Sequence, residues 1–190
     1  MIDIDNCQTI EVNELILDRI RNIFEVSIRY GFFEIVKNNI EIYYSEDNQM
    51  VSYNLQVPKA KFLEYPFFQM KLNESAFTTN QDLEITNIRS YSYHGFHIEH
   101  KDDPKKHFIR FDFEPVKEKY APIHINAPKQ KWGDHLTYPD GTNLDISKIS
   151  FQIAIKVFYR YANDKNDYPL NMETNKPYVK IFENGGSKDE

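Results

Sequence analysis

All six histidines of this 190-residue chain fall in one stretch, as His94, His97, His100, His107, His124 and His135. Imidazole exchanges protons near neutral pH and ligates metals, so this concentration raises both chemistries. Among them lies His107-Phe-Ile-Arg-Phe-Asp-Phe-Glu114, in which apolar and polar residues alternate. In a strand, that alternation sends Ile109, Phe111 and Phe113 to one side and Phe108, Arg110, Asp112 and Glu114 to the other. Ile123-His-Ile-Asn126 repeats the pattern, with His124 and Asn126 opposite Ile123 and Ile125. Two such strands side by side gather Arg110, Asp112, His124 and Asn126 on one face, with Asp134 and His135 as further neighbours.

An arginine offers a planar fork to phosphate or carboxylate, and a histidine can take or give a proton. The candidate catalytic residues are therefore Arg110, Asp112, His124 and His135. The candidate ligand-binding residues are Arg110, Asn126, Lys129 and Lys131. The same groups also make a purely structural arrangement, an Arg110–Asp112 pair with His124 bonded to it that holds two strands in register. Spacing of three along a strand puts His94 and His100 on one face and His97 on the other, so no metal site is expected unless a bulge at Gly95 turns one of them. Cys7 is the only cysteine, which excludes an internal disulfide and a cysteine-based zinc site. There is no Gly-x-Ser-x-Gly elbow, glycine-rich phosphate loop or dinucleotide fingerprint, and no cofactor is expected.

The elements that must position these groups read as follows. Residues 9–30 carry apolar side chains at helical spacing, with Thr9 as cap, Glu11 in the first turn and Gly31 as stop. Ile40–Tyr44 and Val51–Val57 make a hairpin around the polar Ser45–Asn48. Pro58 and Pro66 break regular structure, and a strand is expected at Phe67–Leu72, among aromatics that include Tyr65 and Phe68. Leu83–Glu99 reads as a long strand, Leu136–Tyr138 and Thr142–Leu144 as a small hairpin, and Tyr178–Phe182 as an edge strand. Ile149–Tyr161 fits both periods, and a buried helix behind Ser147 is the reading adopted. The expected fold is α+β: one domain, residues 1–182, with a curved antiparallel sheet of about five to seven strands packed by an N-terminal and a C-terminal helix, followed by a disordered tail at 183–190.

A net charge of −6 argues against a general nucleic-acid binder, whose affinity comes from neutralising phosphates. The charge is uneven: residues 1–60 carry 10 acidic and 5 basic side chains, residues 101–131 carry 5 and 8. That local excess permits an anionic ligand near the centre of the chain. The acidic N-terminus is unlike a signal peptide, and no apolar run reaches the length of a membrane span, so a cytoplasmic protein is expected.

Taken together, His107-Phe-Ile-Arg-Phe-Asp-Phe, Pro122-Ile-His124, Asp134-His-Leu-Thr and the closing Val157-Phe-Tyr-Arg resemble the bacterial family known as domain of unknown function 2290, over about residues 107–160. This chain has Ala121-Pro-Ile-His where that family has His-Pro, and it lacks the family's basic segment before the closing helix. Small toxins of toxin–antitoxin modules show a similar Arg-x-Asp followed by His-x-His, the second His being Asn126 here. Neither likeness implies a defined reaction, and the leading expectation is a non-catalytic binding or accessory module of a bacterial or phage conflict system, in which aromatic surface and the local positive patch receive a protein partner or an anionic ligand, nucleic acid included. The other expectation is a small hydrolase or nuclease in which His124 or His135 is acid/base and Arg110 stabilises developing negative charge.

Overall fold

A computed structural model of the chain describes residues 8–11, 20–44, 50–79, 82–115, 121–133 and 135–184. Its centre is an open antiparallel sheet in which β2 (Ile40–Tyr44), β3 (Met50–Ala60), β4 (Phe68–Thr79), β5 (Asp82–His97), β6 (Phe108–Phe113) and β7 (Ile123–Asn126) follow one another in space as in sequence. The strand β1 (Gln8–Glu11) pairs with Ile85–Ile88 of β5, while β6 pairs with Tyr91–Phe96 of the same strand. The long β5 thus serves two partners along one edge. The helices are α1 (Ile20–Arg29), α2 (Phe33–Lys37), α3 (Asp103–Lys106), α4 (Lys129–Trp132), α5 (Phe151–Asn163) and α6 (Lys176–Glu183). None among the described residues is long and apolar enough to cross a membrane.

The sheet has two chemically different faces because its strands alternate. Leu55, Leu72, Tyr93, Phe111 and Ile125 are buried on the inner face, where Tyr93 meets Phe151 of α5 and Phe111 meets Phe158 of α5 and Phe182 of α6. The α5 side chains Ile153, Ala154, Val157, Phe158 and Tyr161 recur at helical spacing and are all buried. Ser150, rather than Ser147, caps this helix by accepting from the Ile153 N–H at 3.2 Å. The helical reading of this segment is the observed one.

Several elements differ from the sequence expectation, each for a local reason. The N-terminal helix does not start at Thr9: Gln8–Glu11 is a strand, because the stretch of β5 beyond β6 offers an unpaired edge. Only the second half of the expected helix is described, and residues 12–19 lie outside the described residues, as do the Ser45–Asn48 loop and 185–190. Gly31 ends α1 as expected, with φ 80°, Gly31 N–H donating to Ile28 O and Phe32 N–H to Ser27 O, the two bonds of a Schellman motif. Pro58 does not end its strand; β3 runs on to Ala60 through a register shift between Val57 and Ala60. The strand expected at Phe67–Leu72 continues to Thr79.

Leu136 and Thr142 do not form a hairpin. Leu136 makes a single bridge with Ile125, and the chain then turns, Gly141 and Thr142 both donating to Thr137 O. Tyr178–Phe182 is helical: a proline opens α6, and Tyr178 and Phe182, one turn apart, are both buried, Phe182 against Phe111. Gly95 carries no bulge, pairing regularly with Met70 and Ile109. Its missing side chain instead admits two rings, since a Cβ there would lie 2.7 Å from Phe158 Cδ1 and 2.8 Å from Phe68 Cζ. Gly95→Ala is expected to lower the urea-unfolding stability by about 1–3 kcal/mol, because neither ring is a flexible chain end that can step aside; an unchanged midpoint would refute this packing.

Candidate functional site

On the outer face of the sheet the register sets polar side chains in rows. Ser92, Asp112 and His124 are cross-strand neighbours on β5, β6 and β7, and beside them run Lys71, His94, Arg110 and Asn126 across β4 to β7. Cross-strand neighbours stand about 5 Å apart at Cβ, so each row is a contact set rather than a loose grouping. The four residues Arg110, Asp112, His124 and Asn126 expected to share a face do so.

Asp112 is the hub. Its Oδ1 accepts from Ser92 Oγ at 2.7 Å, and its Oδ2 accepts from Arg110 Nε at 2.7 Å and Asn126 Nδ2 at 2.6 Å. The carboxylate is only 3% exposed, whereas the Arg110 side chain is 39% exposed. Arg110 therefore spends its inner nitrogen on Asp112, and its two terminal nitrogens make no further hydrogen bond to a described residue.

His124 is buried and meets the backbone, Nδ1 donating to Ala121 O at 2.9 Å, a carbonyl that can only accept. This fixes the proton on Nδ1 and turns Nε2 toward Asp112 Oδ2, 3.8 Å away. His135 joins this group through the Ile125–Leu136 bridge, whose two 2.8 Å hydrogen bonds bring the segment back alongside β7. The two imidazole rings lie 5.1 Å apart, and His135 holds φ 55°, a left-handed conformation costing a non-glycine residue about 1 kcal/mol. Asp134 lies outside the described residues.

Lys129 and Lys131 are both exposed on α4, and Lys131 lies 4.9 Å from the Trp132 ring centroid and 5.9 Å from that of Tyr168. Its charge acts on His107, at the opposite end of β6 from Asp112. The three clustered histidines separate. His94 is on the outer face, His97 is buried on the inner face with Nε2 3.1 Å from Tyr161 O, and His100 is exposed beside Glu99. Among the described residues no group of three or more His, Cys, Asp or Glu is placed to hold a metal ion.

Sequence reasoning missed Ser92 and Lys71, and it weighed His94 only as a metal ligand. Strand parity already put Ser92 and His94 on one face of β5. What parity lacks is register, which alone decides that Ser92 meets Asp112 and His94 meets Arg110. The His94 ring lies against Phe96 and Phe108, at 4.7 and 5.6 Å, and its Nε2 is buried with no hydrogen-bond partner. Burial, reinforced by the Arg110 and Lys71 charges, lowers its pKa from 6.5 to about 4. This ring is neutral at pH 7, and the row carries its charge on Lys71 and Arg110. No protein-family model matches the chain, and neither a curated protein nor a solved structure matches it significantly.

The lowered His94 pKa is also a statement about stability. Between pH 6.5 and about 4 the unfolded chain protonates this imidazole and the folded one does not, so stability falls as pH falls through that window. The full loss from this one group is about 3 kcal/mol. Burial lowers the pKa of His97 and His107 as well, which adds loss in the same sense. Urea unfolding near pH 7.5 and near pH 5 is expected to show this decline in the parent and a shallower one in His94→Asn; equal slopes would contradict the assignment.

Proposed function

We propose that this chain is a non-catalytic binding module whose outer sheet face receives an anionic group on Lys71 and Arg110, with His94 between them. The observation that carries this reading is the division of labour at Asp112. The buried carboxylate takes three donors and holds Arg110 by its Nε, while the terminal end of the guanidinium stays at the surface. An arginine oriented in this way is prepaid for a phosphate or carboxylate, since its rotamer is already fixed before the ligand arrives. Lys71, exposed on the neighbouring strand position to His94, adds a second positive charge on the same row.

The reading as a His/Arg-dependent hydrolase or nuclease asks more of the same residues. An acid/base histidine must reach a substrate proton, and His124 is 2% exposed with one nitrogen bound to Ala121 O. Asp112, also 2% exposed, has its oxygens committed to Ser92, Arg110 and Asn126. The burial of both weighs against these two as acid/base groups, which leaves the half-buried His135 as the imidazole on which the hydrolase reading would rest. Membership of a bacterial or phage conflict system rests on the sequence resemblance, and the cytoplasm is the compartment that goes with it.

Calorimetric titration with inorganic pyrophosphate, citrate and a short single-stranded DNA tests the site and sorts phosphate from carboxylate ligands. Arg110→Gln and Lys71→Gln are each expected to weaken the anion that binds by about tenfold at low salt. Lys131→Gln, on α4 beside Trp132 and Tyr168, is expected to leave it unchanged. Absence of binding by all three probes, or equal loss in the Lys131 variant, would contradict the reading.

A further inference from the structure

We propose that the loop joining β3 to β4, residues 61–67, is a docking surface for a partner protein that presents an apolar side chain next to a lysine or arginine. This surface is separate from the Arg110 row and stands independently of it. Within seven residues the loop divides its apolar side chains between inside and outside. Phe62 is 2% exposed and pins the loop, stacked on Phe68 and edge-on to Tyr30, Tyr65 and Tyr159. Leu63 and Phe67, by contrast, are 80% and 58% exposed. Leu63 lies directly over Gly31 at the end of α1, where a Cβ would stand 2.4 Å from Leu63 Cγ. A pinned loop with two large apolar side chains held outward exposes surface that a free chain normally hides, at little further entropy cost on binding.

Two clefts flank these side chains and share Glu64. One, about 250 Å³, lies between Tyr30, Tyr159 and Leu63. The other, about 410 Å³, is bordered by Tyr65, Phe67, Glu99 and Asp164. The second cleft decides the partner's charge. Three carboxylates line it, those of Glu64, Glu99 and Asp164, against one ammonium, that of Lys165. Lys165 is already held by Glu99 at 3.3 Å and Asp103 at 3.8 Å. The carboxyl-terminal end of α5, at Asn163, opens on the same cleft and adds the negative end of a helix dipole. Lys61 and Arg29 lie outside this cleft, Arg29 on the smaller one. An apolar anchor seated on Leu63 and Phe67 with a basic neighbour reaching the carboxylates satisfies both features.

The probe is a random linear peptide library displayed on phage and selected against the immobilised full chain. The selected peptides are expected to share an aromatic or aliphatic residue close to a Lys or Arg. In fluorescence polarisation, Leu63→Ser and Phe67→Ser are each expected to weaken the best peptide by about tenfold. Asp164→Asn is expected to weaken it by about threefold at low salt and not at high salt. Lys71→Gln is expected to leave it unchanged. All three loop and cleft positions are at the surface, and unchanged urea midpoints establish that the variants are folded. Acidic or featureless selected peptides, no enrichment, or binding indifferent to both serine variants overturns the proposal. So does a concentration-dependent dimer by sedimentation that Phe67→Ser abolishes, since the occupant would then be a second copy of this chain.

Discussion

A single buried carboxylate organises the outer half of this sheet. Asp112 sits almost wholly out of water, and an isolated charge there would cost several kcal/mol. Hydrogen bonds from Ser92, Arg110 and Asn126, one each from β5, β6 and β7, offset that cost. The bonds from Ser92 and Asn126 cross between strands and form in one register only. A slip of one residue between β5 and β6, or between β6 and β7, would send a donor to the opposite face and leave the charge short of partners. The interaction thereby selects strand register as well as stabilising it, and it fixes Arg110 as a by-product.

The opposite face follows from the same alternation. Phe111 and Phe113 point inward because Arg110 and Asp112 point outward, and the rings of Phe158 and Phe182 close on Phe111 while that of Tyr91 closes on Phe113. Gly95 is the place where this packing is closest, β5 giving up a side chain so that Phe158 and Phe68 can approach. The polar hub and the aromatic core are therefore two consequences of one strand's period-two pattern.

How much of this was legible in the sequence depended on whether a segment's chemistry was set locally. His107–Glu114 and Ile123–Asn126 were legible because each strand alternates unlike residues, so the shared face of Arg110, Asp112, His124 and Asn126 follows from parity. The α+β class and the sheet's size were legible for the same reason. Register was not: Ser92 and Lys71 look like ordinary strand residues until their cross-strand neighbours are known. Gln8–Glu11 was misread because a short segment that pairs with a distant sheet edge carries no local sign of that edge. Tyr178–Phe182 was misread because five residues are too few to separate a period of 2 from one of 3.6. At Gly95 the residue was singled out correctly and its reason was not, since a close approach by Phe158 from another element leaves no trace in neighbouring residues.

The account rests on Arg110 and Asp112 acting as one unit, and a double-mutant cycle on stability measures that directly. Arg110→Ala, Asp112→Ala and the double variant, compared by urea unfolding at neutral pH, are expected to show a coupling energy of about 1 kcal/mol or more, the double variant losing less than the two singles together. Additivity to within about 0.3 kcal/mol would mean that the carboxylate does not hold the guanidinium, and the arrangement described for the outer face would fail with it.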